Sequence, residues 1–139
     1  MTEPAEPLVG IVVVSHSAMV AEGVVEMARE MAGPEVRLLA AGGAADGSLG
    51  TDASRIAEAI GQADAGAGVV VLADLGSAVL ATKVALEMIA PETAARTRLS
   101  GGPLVEGAVV AAVQASAGDA LAAVLEAAEE AARMPKDVS

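Results

Sequence analysis

No aromatic residue and no cysteine occurs in the 139-residue chain, and histidine occurs once. The missing cysteines exclude disulfides, thiol catalysis and thiolate metal sites. The missing aromatics remove the rings on which bases and sugars stack, and they leave the core to Val, Ile, Leu, Met and Ala. Positive charge is scarce as well: 8 Lys and Arg stand against 19 Asp and Glu, a formal net charge of −11. Such a chain carries no electrostatic footprint for nucleic acid or an anionic membrane. Long apolar runs are lacking, since "LVGIVVV" and "GAGVVVLA" are far too short to cross a bilayer. The acidic start "MTEPAEP" has no signal-peptide character, so a soluble, cytoplasmic protein is expected. One histidine and scattered carboxylates do not make a metal-ligand set, and none is expected.

What is present is 54% hydrophobic residues, arranged in an alternating pattern. Residues 8–14 form a continuous β-branched run, the mark of a strand covered on both faces. From Ser17 the period becomes helical, with Val20, Val24, Met27, Ala28 and Met31 on one face, until Gly33-Pro34 stops it. A second strand is expected over 36–41. A helix capped by Thr51 or Asp52 follows, carrying Ile56 and Ile60 and ending near Gly61. A third strand is expected over 68–73. Residues 78–89 read as a helix apolar almost all round, hence fully buried, which in a small domain suggests a subunit interface. Pro91 ends it, and "TRLS" reads as a short edge strand. Two helices then occupy 104–116 and 119–133, the latter burying Leu121, Val124, Leu125 and Ala128.

This alternation predicts one α/β domain, a doubly wound, open and mainly parallel sheet with helices on both faces. It spans 8–133, between a flexible N-terminal tail (1–7) and a C-terminal tail (134–139). In such sheets ligands gather beyond the carboxyl ends of the strands. Three loops occupy those positions: "SHS" after the first strand, "GGAADGSLGT" after the second, "DLGS" after the third. A strand order of 2-1-3-4 brings them together.

His16, at the junction of the first strand and helix, is then the natural nucleophile toward phosphorus. A neutral imidazole attacks through one nitrogen when the other is held as N–H. Asp74 is placed to accept from that second nitrogen. Ser15, Ser17, Gly76 and Ser77 can offer hydroxyl or backbone N–H groups to the same anion at the helix starts, and Gly42, Gly43 and Thr51 lie in the neighbouring loop. Position alone leaves open a capping histidine, a turn aspartate and a surface loop. The glycine-rich loop matches neither GxGxxG nor GK[ST], and GxSxG is absent.

With "VSHS", "GGAADGSLGTD", "DLGSA" and "PLVEGA" in this order, the chain resembles the DhaM family, over roughly 8–133. These are the phosphotransferase subunits of phosphoenolpyruvate (PEP)-dependent dihydroxyacetone kinases, and they resemble the mannose-type EIIA domains of the sugar phosphotransferase system. The resemblance implies a doubly wound homodimer in which His16 takes phosphate from the carrier protein HPr, with Asp74 beside it. The phosphate then passes to ADP on the partner subunit DhaL, and the ATP formed serves dihydroxyacetone on DhaK. Nucleotide and metal are expected on DhaL, and no cofactor on this subunit. Some relatives continue into fused HPr-like and enzyme I-like domains; this chain ends after the EIIA-like unit, so either its donor is a separate HPr or it is a fragment of such a protein. The alternatives are a sugar-transporter EIIA passing phosphate to an EIIB protein, and a non-catalytic regulatory module.

Overall fold

A computed structural model describes residues 6–138. The expected N-terminal tail lies outside the described residues as far as residue 5, as does Ser139 of the C-terminal tail. The elements run β1 (Gly10–Ser15), α1 (Ala18–Ala32), β2 (Leu38–Gly42), α2 (Ala53–Ala63), β3 (Val69–Ala73) and α3 (Gly76–Met88). They continue with α4 (Pro91–Ala95), β4 (Thr97–Ser100), α5 (Leu104–Ser116) and α6 (Leu121–Glu130), closed by a 3₁₀ turn at Ala131–Arg133. The four strands form one sheet in the order β2-β1-β3-β4, every pair parallel. This is the expected α/β architecture.

Strand alternation divides the core in two. Ile11, Val13, Val70 and Leu72 face α1, α5 and α6, while Val12, Val14, Val69 and Val71 face α2 and α3. Full burial of each such side chain contributes about 1.5–3 kcal/mol. In register, Ser15 pairs with Gly42, and Val14 pairs with Ala41 and Ala73. The three strands thus finish level, and His16, Gly43 and Asp74 leave the sheet at one edge.

Several local expectations are corrected. The buried residues of α1 are Ala21, Val24 and Ala28, whereas Val20, Met27 and Met31 are exposed. The helix lies so close to β2 and α5 that only small side chains fit between them. A Cβ on Gly42 would sit 2.8 Å from Ala21 Cβ, and α5 presents Ala108, Ala111, Ala112 and Ala115. The expected full burial of the third helix fails for the same reason. Ala78, Thr82 and Ala85 are its buried residues, while Leu80, Val84 and Met88 face outward. The helix carrying Ile56 and Ile60 runs past Gly61 to Ala63. Pro91 both ends α3 and opens the unforeseen α4, at the first helical position where its missing N–H costs nothing. The last helix begins at Leu121, two residues later than expected, and its Leu121 and Leu125 are only partly buried.

The edge opposite His16 is fastened by an ion pair. Arg96 Nη2 lies 2.6 Å from Asp64 Oδ2, and Arg96 Nε donates to Asp64 Oδ1 at 3.0 Å. The Arg96 guanidinium holds the Asp64 carboxyl below its ordinary 3.8, outweighing burial, with help from the Gly66 N–H. Stability from this group is complete above the ordinary value and is lost as pH falls through the lower folded value. The wild-type advantage over Asp64→Asn in urea-denaturation midpoint is therefore expected to be full at neutral pH and to shrink below 3.8.

Candidate functional site

β1 delivers His16 by ending at Ser15, after which Ser17 caps α1 by accepting from the Val20 N–H at 3.3 Å. β3 delivers Asp74 in the same way, tied to the neighbouring strand by its own N–H on the Val14 carbonyl at 3.2 Å. The two side chains meet, with His16 Nδ1 lying 2.9 Å from Asp74 Oδ1. A carboxylate only accepts, so Nδ1 carries a proton, and in the neutral ring Nε2 then keeps the lone pair. Nε2 in turn meets the Ser77 hydroxyl, which can donate to that lone pair.

Asp74 is saturated with donors. Its Oδ2 accepts from the Ser15 hydroxyl at 2.9 Å and the His16 N–H at 3.0 Å, and its Oδ1 accepts from the imidazole and from the Leu75 N–H at 2.8 Å. Burial alone pushes this carboxyl up, but the four donors outweigh it and hold it below the usual carboxylate range. Asp74 is thus a fixed anion whose position sets the ring.

The supporting residues divide. Ser15 is 1% exposed; its hydroxyl donates to Asp74 and accepts from the Ser17 N–H at 3.0 Å. Its hydroxyl, expected to be offered to the anion, is engaged with Asp74 and the Ser17 N–H instead, so it serves to position Asp74. Ser77 is exposed and touches the ring directly. Gly76 and Ser77 open α3, and their backbone N–H groups have no partner among the described residues, as in any first helical turn. Free N–H groups at a helix start are the kind that receive anions.

Gly42 has no room for a side chain, because a Cβ would approach the Ser17 carbonyl oxygen to 2.6 Å. Gly43 turns the loop at φ +81 and donates to the Ser15 carbonyl at 3.1 Å. Thr51 is half-buried before the capping Asp52 and makes no hydrogen bond to the His16 cluster among the described residues. Two contacts escaped the sequence reading: Gly50 N–H donates to the His16 carbonyl at 2.9 Å, and Arg55 Nη1 holds the Gly42 carbonyl at 3.1 Å. Both latch the long loop onto the strand edge. Gly42→Ala is expected to lever α1 away from β2 and to cost about 1–3 kcal/mol. Chemical denaturation measures this.

The ring is accessible but not free to wander: His16 is 25% and Asp74 19% exposed at the side chain. Around them Met19, Leu49 and Leu75 stand largely in solvent, one from each of the three loops or helix starts. Among the described residues no three His, Cys, Asp or Glu side chains gather as metal ligands, and no helix is long and apolar enough to cross a membrane.

The family model of the EIIA-man domain, described as the PTS system fructose IIA component, matches residues 10–125. The chain belongs to the EIIA-man family. Within that family it is similar to a Listeria innocua protein named PEP-dependent dihydroxyacetone kinase 2, phosphoryl donor subunit DhaM. The two are 40% identical over 119 residues, covering 86% of this chain and 95% of the relative. The Lactococcus lactis protein named PTS-dependent dihydroxyacetone kinase, phosphotransferase subunit DhaM, is 34% identical and covered to 90%. The Escherichia coli phosphoryl donor subunit DhaM is 43% identical over 114 residues, but this EIIA-man chain spans only 24% of its length. A crystal structure of a protein of unknown function, EF1359, matches with a TM-score of 0.77 at 38% identity, covering 88% of this chain and 93% of that one. A sigma-54 interaction domain protein from Enterococcus faecalis, with TM-score 0.67 and 20% identity, shares the fold.

Proposed function

We propose that this chain is the phosphoryl donor subunit of a PEP-dependent dihydroxyacetone kinase, and that it carries the phosphoryl group on His16 Nε2. The observation that carries the proposal is the held ring: Nδ1–H is spent on Asp74, and Nε2 meets the exposed Ser77 hydroxyl at the start of α3. The names borne by the similar DhaM proteins support the same role.

In the first step the Nε2 lone pair attacks the phosphorus of phospho-HPr. The new N–P bond forms as the donor's N–P bond breaks, and the donor imidazole leaves with its electron pair. The Ser77 hydroxyl releases Nε2 and turns its proton to a phosphoryl oxygen. In the second step a β-phosphate oxygen of ADP on DhaL attacks the same phosphorus, and His16 leaves as the neutral ring. The ATP formed then serves dihydroxyacetone on DhaK. Phosphoryl transfer asks chiefly for positioning and charge stabilisation, and Asp74 with the α3 N-terminus supplies both. Nucleotide and metal belong to DhaL. The shallow setting, rimmed by exposed Met19, Leu49 and Leu75, suits a protein surface that must meet two partners in turn.

The chain forms a homodimer in this proposal, with the outward face of α3 as the seam. Leu80, Val84 and Met88 lie exposed there, and Lys83 and Glu87 give the face mixed charge, so a two-fold pairing does not oppose like with like. Val84→Asp is expected to yield a folded monomer by light scattering. The transfer itself is tested by charging the chain with PEP, enzyme I and HPr in the cytoplasmic system, then adding either DhaL–ADP or an EIIB protein. ATP appears with the first and the phosphoprotein persists with the second; transfer to EIIB alone identifies a sugar-transporter EIIA instead.

A further inference from the structure

On the sheet face away from α3, two adjoining hollows of about 530 and 540 Å³ lie over α1 and α5 and share Met27 and Val109. Together they form a largely apolar groove, with Met31 at one end and Val105, Met134 and the mutually paired Glu106 and Lys136 at the other. Met27, Met31 and Met134 are more than half exposed, an unusual placement for unbranched apolar side chains that adapt to varied partners. Along one wall run Glu26 and Glu30, and Glu22 continues the row at the same four-residue spacing. Among the described residues none of the three glutamates has an ion-pair partner. Arg29, the one cation of α1, is turned to the carbonyls of Gly33 and Val36. Like charges at this spacing cost the helix a few tenths of a kcal/mol per pair, a cost that a cationic partner removes.

We infer that this groove docks a basic amphipathic helix of another protein, its apolar stripe on the methionines and its Lys or Arg side chains against the glutamate row. A groove between two helices suits a helical ligand whose anchors repeat every three or four residues. A second copy of this chain is a poor occupant, because a two-fold contact would set one glutamate row near the other. Met27 lies ten residues beyond Ser17, about 15 Å along α1. A bound helix therefore leaves His16 open, and the groove tethers a partner while phosphate passes at the other end of the domain. Tethering of this kind raises the effective concentration of the partner. The inference stands apart from the identity of the phosphate acceptor.

The test is fluorescence anisotropy of a labelled synthetic helix of roughly 18 residues, five turns, with a leucine stripe flanked by lysines, titrated with the full chain. Saturable binding at one helix per chain is expected. It should weaken at least tenfold in Glu26→Lys/Glu30→Lys and in Met27→Ser/Met31→Ser, both exposed changes whose folding is checked by thermal melting. Leu80→Ser/Val84→Ser on α3 should bind as the wild type does, and a leucine–glutamate helix should not bind. Absence of saturable binding, equal binding by the groove variants, or equal binding of the acidic helix overturns the inference. So does a shift from dimer to monomer in Met27→Ser/Met31→Ser, which would make the groove a contact between copies.

Discussion

His16→Ala, incubated with PEP, enzyme I and HPr, is expected to gain no phosphoryl mass, whereas the wild-type chain gains one group. The loss should be complete. The chain has a single imidazole, and no other side chain near it is both accessible and activated. Among the described residues Ser77 is the hydroxyl in contact with the ring, and besides Nε2 itself no base touches it. Mild acid separates the two, since a phosphoramidate hydrolyses where a phosphoserine ester survives. The fold should persist in the variant. His16 makes its backbone contacts to Asp74 and Gly50 through N–H and C=O groups that alanine retains. The removed ring contact, a hydrogen bond to a carboxylate, costs about 1.5–3 kcal/mol. An unchanged mass increment in His16→Ala would remove the basis of the proposed function.

Asp74→Asn is expected to lower the rate of phosphoryl uptake by about 10³-fold or more, by analogy with loss of the orienting carboxylate in hydrolytic triads. The reason lies in the arrangement of its acceptors. Each carboxylate oxygen takes two donors: Ser15 and His16 N–H on Oδ2, the ring Nδ1–H and Leu75 N–H on Oδ1. An amide offers one acceptor oxygen and one NH₂, so one pair of donors must face another donor. If the NH₂ faces the ring, Nδ1 becomes the acceptor, the proton moves to Nε2, and the nucleophilic lone pair is gone. If it faces Oδ2's partners, the buried Ser15 and the backbone at His16 are pushed from the site. Stopped or quenched-flow mass measurement of uptake distinguishes these effects from unfolding. Ser15→Ala is the useful companion, because it removes one donor and leaves the tautomer intact, with a loss of about tenfold expected. Equal rates in Asp74→Asn and wild type would show that the aspartate is merely a turn residue.

Much of this site is legible in the sequence, because the chemistry is confined to strand ends. Each buried run breaks into polar, glycine-containing sequence at its carboxyl end, and a parallel sheet with its first strand inside leaves His16 and Asp74 nowhere to go but side by side. The order β2-β1-β3-β4 and the all-parallel pairing follow that expectation. The roles of the serines were harder to read. Ser15 and Ser17 differ by two positions in sequence, but Ser15 is the last residue of β1 and buried, whereas Ser17 is already the cap of α1. Nothing in "SHS" records that boundary. The orientation of α1 differs from the expected one because periodicity weights large apolar residues. Val20, Met27 and Met31 outscore Ala21 and Ala28 in hydrophobicity, yet the alanines occupy the crowded side against β2 and α5. In a core without rings, close approach of backbones selects small residues, and the larger ones are left outside as contact surface. The same reversal exposes Leu80, Val84 and Met88 on α3. The latch from Gly50 to His16 joins segments far apart in the chain, and only the folded sheet edge shows it.

The most direct measurement is a nitrogen-resolved NMR spectrum of the phosphorylated chain, labelled with ¹⁵N at its one histidine. Phosphorus coupled to Nε2, with Nδ1 still protonated, is the result expected of a ring held by Asp74 and open at Ser77. Phosphorus on Nδ1, or on no ring nitrogen at all, would contradict it.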